Sequence, residues 1–467
     1  MNKLNGILAL LTVAAVSQGG VTTMPSPALS FSPSATPVDL TDWYLGEKSI
    51  LFVHYSYGGH PDDVDMKGPP GSVCPDGTRA TNINQVADAL DVEDFADDCQ
   101  KFGFDTVIFT AWHRGMYMLY PSALMNKWCP GHSSKRDLLG EVISALRSRG
   151  MKVIVYIHVW ALPDEDKERL GWLDPTGKYL KFNDDMNLLF EELLARYGND
   201  IAGFWYDVGL KNMDKPRLMA TIKSYNPNLI SYLGTDNVRY KASDPSTWID
   251  NWKSVGRNNS LFYAGAWYAW RAEKTEGRRF KDRTVEYLYK YTVLQAATVG
   301  EGTALSGHPY VGSVLWGAAP YVGGEGCQWE NGVEADSTLF GQRFRSVQES
   351  IQGTRPSHSY VTVAGSTVNN LEYGIVATTS ADGSSEYIHV LRPPSGSTLT
   401  LPAPANKAKF NAVGEMLPSG ARVKVLQNAS GVTITIPATQ SWDPIGTVIK
   451  LGVDYTPPAP PPVTRNN

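Results

Sequence analysis

Cysteine is scarce in this chain: four in 467 residues, at Cys74, Cys99, Cys129 and Cys327, with no Cys-x-x-Cys spacing among them. That argues against a structural zinc site and leaves buried thiols, or up to two disulfides in an oxidising compartment. Neither sign of charge dominates. The formal net charge is −5, and no basic run approaches the density that tracking a phosphate backbone requires, so a nucleic-acid partner is not expected. Long apolar runs are absent after the first segment, Ile7 to Val16 (ILALLTVAAV), which follows Lys3 and gives way to small and polar residues. This is the pattern of a secretory signal rather than a membrane span, so export is expected and membrane association is not. No cysteine follows that segment to take a lipid anchor.

What is present is a series. Four apolar runs each end in a polar or aromatic tip: Ser49 to Ser56 (SILFVHYS) in His54, Asp105 to His113 (DTVIFTAWH) in Trp112 and His113, Lys152 to Trp160 (KVIVYIHVW) in Tyr156 and His158, and Ile201 to Gly209 (IAGFWYDVG) in Trp205 and Asp207. Helical candidates separate them, over Val92 to Phe102, Ser134 to Arg149 and Asp184 to Tyr197. Continuous apolar strands alternating with amphipathic helices predict a parallel sheet covered on both faces, hence an α/β fold of the (β/α)8 kind. Further strands are expected at Asn228 to Gly234, Ser260 to Trp267 and Ser313 to Ala318, with one less visible strand sought within Ala296 to Ser306. After Gly353-Thr354-Arg355-Pro356 the texture changes to short alternating strands with turn signals, which predicts an antiparallel β-sandwich. The expected organisation is a signal and leader over 1–30, a barrel over 31–356, a sandwich over 357–453 and a Pro-rich tail over 454–467.

Barrel enzymes keep their chemistry at the carboxyl ends of the strands. Asp207, at the end of an apolar run, is therefore the leading candidate for a catalytic carboxylate. His54 and His113 can hydrogen-bond hydroxyl groups, while Trp112, Trp205 and Trp267 offer flat apolar faces to a ligand. His158 reads more readily as a satisfied core residue.

The order of these segments resembles the α-L-fucosidase family of retaining glycoside hydrolases. WYLGEKSILFVH, starting at Trp43, is similar to the family's opening WF-x-x-x-x-FGIFIHWG, and ADDCQKFGFDTVIFTAWHRGMYMLYPS to its segment around TAKHHDGF. KRDLLGEVISALRSRGMKVIVY, LLFEELLARYGNDIAGFWYD and FGQRFRSVQESIQGTRP match its later segments. The resemblance spans Trp43 to Leu451. It implies a barrel with a carboxyl-terminal β-sandwich, a glycosidase releasing α-L-fucose or a fucose-like sugar such as α-L-galactose from oligosaccharides or polysaccharides, and no cofactor or metal. It places Asp207 at the family nucleophile, His54 at a sugar-binding histidine and Tyr156 at a tyrosine near the nucleophile. For the acid/base, Asp244, Glu273 and Asp250 compete. Where the family pairs two histidines, this chain has Trp112-His113, so a barrel that binds fucosylated glycans without cleaving them stands as the alternative.

Overall fold

The computed structural model describes residues 43, 46–58, 74–207, 210–234, 261–263, 285–299, 313–329, 333–363 and 374–454. Seven strands form one parallel sheet: β1 (Ile50–Val53), β2 (Thr106–Trp112), β3 (Lys152–Ile157), β4 (Gly203–Asp207), β5 (Ile230–Gly234), β6 (Leu261–Tyr263) and β8 (Ser313–Gly317). They are ordered β5-β4-β3-β2-β1-β8-β6. The last strand in sequence pairs with the first, Ile50 opposite Leu315, as a sheet that curls toward closure requires. β7 (Thr298–Val299) falls in the stretch where a further barrel strand is expected, yet it pairs with β10 (Thr362–Val363) outside that sheet.

Helices alternate with these strands because the intervening sequence carries apolar stripes, and the first four helices also carry a side-chain cap at the start. α1 (Ile83–Ala89), α2 (Val92–Lys101), α3 (Ala123–Trp128) and α4 (Leu138–Ser148) begin at Asn82, Asp91, Ser122 and Asp137, whose side chains each accept a backbone N–H of the first turn. α5 (Asp164–Arg169), α6 (Leu180–Tyr197), α7 (Lys215–Tyr225), α8 (Val285–Ala297) and α9 (Val333–Ser346) follow. Strand residues divide by parity. Leu51, Val53, Val107, Phe109, Val153, Val155, Phe204 and Tyr206 join the core shared with the helices. Ile50, Phe52, Ile108, Ile154, Tyr156, Trp205 and Ile230 form a separate inner cluster. This two-residue alternation sets which strand-tip side chains face the inside.

The parallel sheet's floor is polar. The buried Glu47 carboxylate accepts from Ser49 N (3.1 Å), Thr106 Oγ1 (2.8 Å) and Gln352 Nε2 (2.8 Å), tying the start of β1 to the segment that leaves the last helix. Burial raises the pKa of Glu47 against these bonds. Gly341 lets α9 lie against the end of α2: a Cβ there would stand 2.5 Å from Lys101 O. Gly341→Ala is expected to cost about 2 kcal/mol or more of stability, read as a lower midpoint in denaturant; an unchanged midpoint would show that the helices part without cost.

From Arg355 to Gly452 the chain forms an eight-stranded antiparallel sheet, ordered β13-β16-β15-β14-β17-β12-β11-β9. Its strands are β9 (Arg355–Pro356), β11 (Ile375–Thr379), β12 (Ser385–Val390), β13 (Thr398–Leu401), β14 (Val413–Leu417), β15 (Ala421–Asn428), β16 (Gly431–Thr435) and β17 (Thr447–Gly452). Leu399 and Leu401 at one end share a core with Ile375 and Ala377 near the other, so the sheet curls over itself as a sandwich does. The alternate residues Val376, Tyr387, Leu391 and Val448 pack into the barrel's helical layer instead. The described residues accordingly belong to one compact unit. All four cysteines are free thiols, with Cys99 and Cys129 buried. No described helix is long and apolar enough to cross a membrane.

Candidate active site

Asp207 ends β4 on the inner-facing parity, and its side chain remains 26% exposed, so the carboxylate is open to a ligand from the carboxyl face of the sheet. Tyr156 Oη donates to Asp207 Oδ2 at 2.5 Å. Two imidazole nitrogens stand slightly farther off: His158 Nδ1 at 3.7 Å and His113 Nε2 at 3.9 Å from the same oxygen. His54, from just beyond β1, completes the group, its ring 4.6 Å from that of Tyr156 and 4.9 Å from that of His113. Trp205 stacks on Tyr156 at 5.3 Å and 18°. Four adjacent strands thus deliver a carboxylate, a phenol and three imidazoles to one place.

The imidazoles are held neutral. Burial pushes the His113 pKa down to about 3, with the neighbouring His158 adding to the effect and Asp207 opposing it. His54 lies well below the usual imidazole range, again chiefly through burial and then through His113 and His158. Burial lowers His158 too, against the pull of Asp207. A neutral imidazole offers one N–H and one lone pair, the pairing a sugar hydroxyl asks for.

Trp112 departs from its expected place. The pairing of β2 with β3 slips between Thr110, opposite Tyr156, and Trp112, opposite Ile157, so an extra residue is inserted at Ala111. This bulge exchanges the two faces. The Trp112 indole goes outward, fully buried against Phe190 of α6, with Nε1 donating to His158 O at 3.0 Å, and His113 turns inward. Trp112 therefore offers no face to the pocket; it fixes the main chain that carries His158. His158 is the group that sequence reasoning assigned to the core instead of the site. The signal was available, because it follows Tyr156 by two residues and so shares its face at the strand tip. Asp244, Glu273, Asp250 and Trp267 lie outside the described residues.

Known proteins share parts of this sequence and its fold. The family model described as alpha-L-fucosidase matches residues 84–298, which include Tyr156, His158 and Asp207. A rice (Oryza sativa subsp. japonica) protein provisionally named alpha-L-fucosidase 1 is 29% identical over 168 residues, covering 35% of this chain and 28% of its own length. Among solved structures, alpha-L-fucosidase isoenzyme 1 from Paenibacillus thiaminolyticus superposes with a TM-score of 0.57 at 17% identity, covering 89% of this chain and 99% of that one. An alpha-L-fucosidase from Bacteroides thetaiotaomicron gives 0.57 at 14%, covering 91% and 97%. At such identities these structures establish the fold, a (β/α)8-like barrel followed by an antiparallel sandwich. The family model's match over residues 84–298 takes in β2 to β6, and over that part the chain is similar to the α-L-fucosidase family.

Proposed function

We propose that the protein is a secreted exo-glycosidase that releases terminal α-L-fucose, or a fucose-shaped sugar such as α-L-galactose, from glycans with retention of configuration. The observation that carries this reading is the partly exposed Asp207 carboxylate, hydrogen-bonded by Tyr156 and flanked by neutral His113 and His158, at the strand end where the family resemblance expects a nucleophile. In the proposed reaction one Asp207 oxygen attacks the anomeric carbon while Tyr156 holds the carboxylate in place. A second carboxyl group protonates the departing glycosidic oxygen, then takes a proton from the water that releases the sugar. Asp244 and Glu273, with Asp250 behind them, remain the candidates for that second group. Export belongs to the same reading, supported by the apolar segment Ile7 to Val16.

His54, His113 and His158 would bind the sugar hydroxyls, with Trp205 behind Tyr156 as their apolar backing. In this reading His158 restores from β3 the imidazole that the outward turn of Trp112 removes from β2. His158→Ala is expected to lower kcat/KM for an aryl α-L-fucoside by about 10- to 100-fold, the worth of one or two hydrogen bonds, with little change in melting temperature. A fall in melting temperature with kcat/KM unchanged would make His158 a packing residue.

The test of the function is hydrolysis of aryl glycosides, led by the α-L-fucoside, with the configuration of the first-released sugar read by NMR. Release of the α-anomer supports the proposal. The second reading, a barrel that binds without cleaving, draws on the missing first histidine of the family pair; affinity for a fucosylated glycan with no turnover of any glycoside would favour it.

A further inference from the structure

His113 Nε2, His158 Nδ1 and Asp207 Oδ2 all lie within 4.8 Å of one another, projected from the tips of β2, β3 and β4. The two nitrogen-to-oxygen separations, 3.9 and 3.7 Å, are too long for hydrogen bonds. They are close to what a shared cation needs. A tetrahedral ion with bonds of about 2.1 Å holds its ligand atoms about 3.4 Å apart, so each imidazole must close on the carboxylate by about 0.3 to 0.5 Å, and the two imidazole nitrogens, which lie within 4.8 Å of each other, must approach to the same spacing to seat one. A second observation points the same way. His158 Nδ1, the atom turned toward the carboxylate, is buried without a hydrogen-bond partner among the described residues. The donor is therefore in place, desolvated and unsatisfied.

From this geometry we propose that His113, His158 and Asp207 form a binding site for a divalent transition-metal ion such as Zn²⁺, and that the ion, once bound, blocks the carboxylate. Two imidazole nitrogens and one carboxylate oxygen select borderline ions such as Zn²⁺, Co²⁺ or Ni²⁺, whereas Mg²⁺ and Ca²⁺ prefer shells of oxygen. The three residues cover one side of the ion, and water fills the rest. Tyr156 Oη, which donates to Asp207 Oδ2 at 2.5 Å, competes with the ion for that oxygen. The ion is an inhibitor here, because the lone pairs it takes are those proposed to meet the anomeric carbon and the sugar hydroxyls. That last consequence rests on the proposed glycosidase reading; the metal site itself does not.

The experiment is calorimetric titration of the full chain, stripped with EDTA and dialysed, with ZnCl2 and separately with MgCl2. One equivalent of Zn²⁺ is expected at micromolar affinity, and no Mg²⁺. His113→Gln and His158→Gln should each weaken Zn²⁺ binding by about tenfold or more, while Tyr156→Phe, which removes the competing donor and leaves all three ligands, should bind as tightly or more tightly. Failure of the wild-type protein to take up Zn²⁺ at micromolar concentrations overturns the proposal. So does uptake that is unchanged in both histidine variants, which would assign the ion elsewhere, for example to the partly exposed thiols Cys74 and Cys327. These readouts hold whether or not any glycoside is cleaved. On an active enzyme Zn²⁺ should in addition raise KM for the aryl fucoside without changing kcat.

Discussion

Replacing Asp207 with Asn is expected to lower turnover of an aryl α-L-fucoside by about 10⁴-fold or more, a loss of about 5.5 kcal/mol or more of transition-state stabilisation. The amide keeps the size of the carboxylate and leaves an oxygen to accept from Tyr156, so the fold and the 2.5 Å contact have no reason to fail. What disappears is the charge that forms the bond to the anomeric carbon. Affinity for fucose should persist, since the histidines that would hold its hydroxyls stay in place. Residual turnover within tenfold of wild type would remove Asp207 from the role of nucleophile. The same assay separates the acid candidates. Loss of the true acid/base should be restored in part by azide with a good leaving group, because azide attacks the glycosyl-enzyme without needing a general base. Asp244→Asn, Glu273→Gln and Asp250→Asn can be ranked in this way.

The second large effect concerns stability and lies in the antiparallel sheet. Glu386 of β12 is 2% exposed, accepts from Ser357 Oγ and Ser359 Oγ, and has its pKa raised from 4.5 to about 7 by burial, against those two hydroxyls. Between these values the folded protein binds more protons than the unfolded one, so stability falls as pH rises through that window. The stabilisation is complete below about pH 4.5 and is lost above pH 7, where the ionised, buried carboxylate costs about 3 kcal/mol, an upper figure for so enclosed a group. Glu386→Gln removes the ionisation while retaining an acceptor for the serine hydroxyls. The variant is expected to melt a few degrees above wild type at pH 8 and not above it at pH 4.5. Parallel melting curves across this range would show that Glu386 is not the titrating group.

Much of the fold is written in local pattern. The apolar runs at Ser49, Asp105, Lys152 and Ile201 predict β1 to β4 because strands buried on both faces are near-continuously apolar before their tips. The first helices are equally plain, with caps such as Asp91 and Asp137 standing ahead of apolar stripes. β7 is different: two residues with no periodicity to read, whose partner lies more than sixty residues later at β10. The site shows the same division. Parity along a strand suffices to bring Tyr156, His158, Trp205 and Asp207 to the inner face. The outward turn of Trp112 depends on a one-residue bulge, and a bulge is a property of two paired strands rather than of the bulged sequence. The family resemblance marked the departure at Trp112-His113; only the pairing with β3 explains why Trp112 turns outward and His113 inward.

The central claim is that Asp207 forms a covalent bond to the sugar. Its most direct test is incubation with a fucosyl fluoride bearing fluorine at C2, which slows release of the glycosyl-enzyme, followed by mass spectrometry of the intact protein and its peptides. The account predicts one added fluorofucosyl group, located on Asp207 and absent from Asp207→Asn. A label on another carboxylate, or none from an enzyme that still cleaves the aryl fucoside, would contradict it.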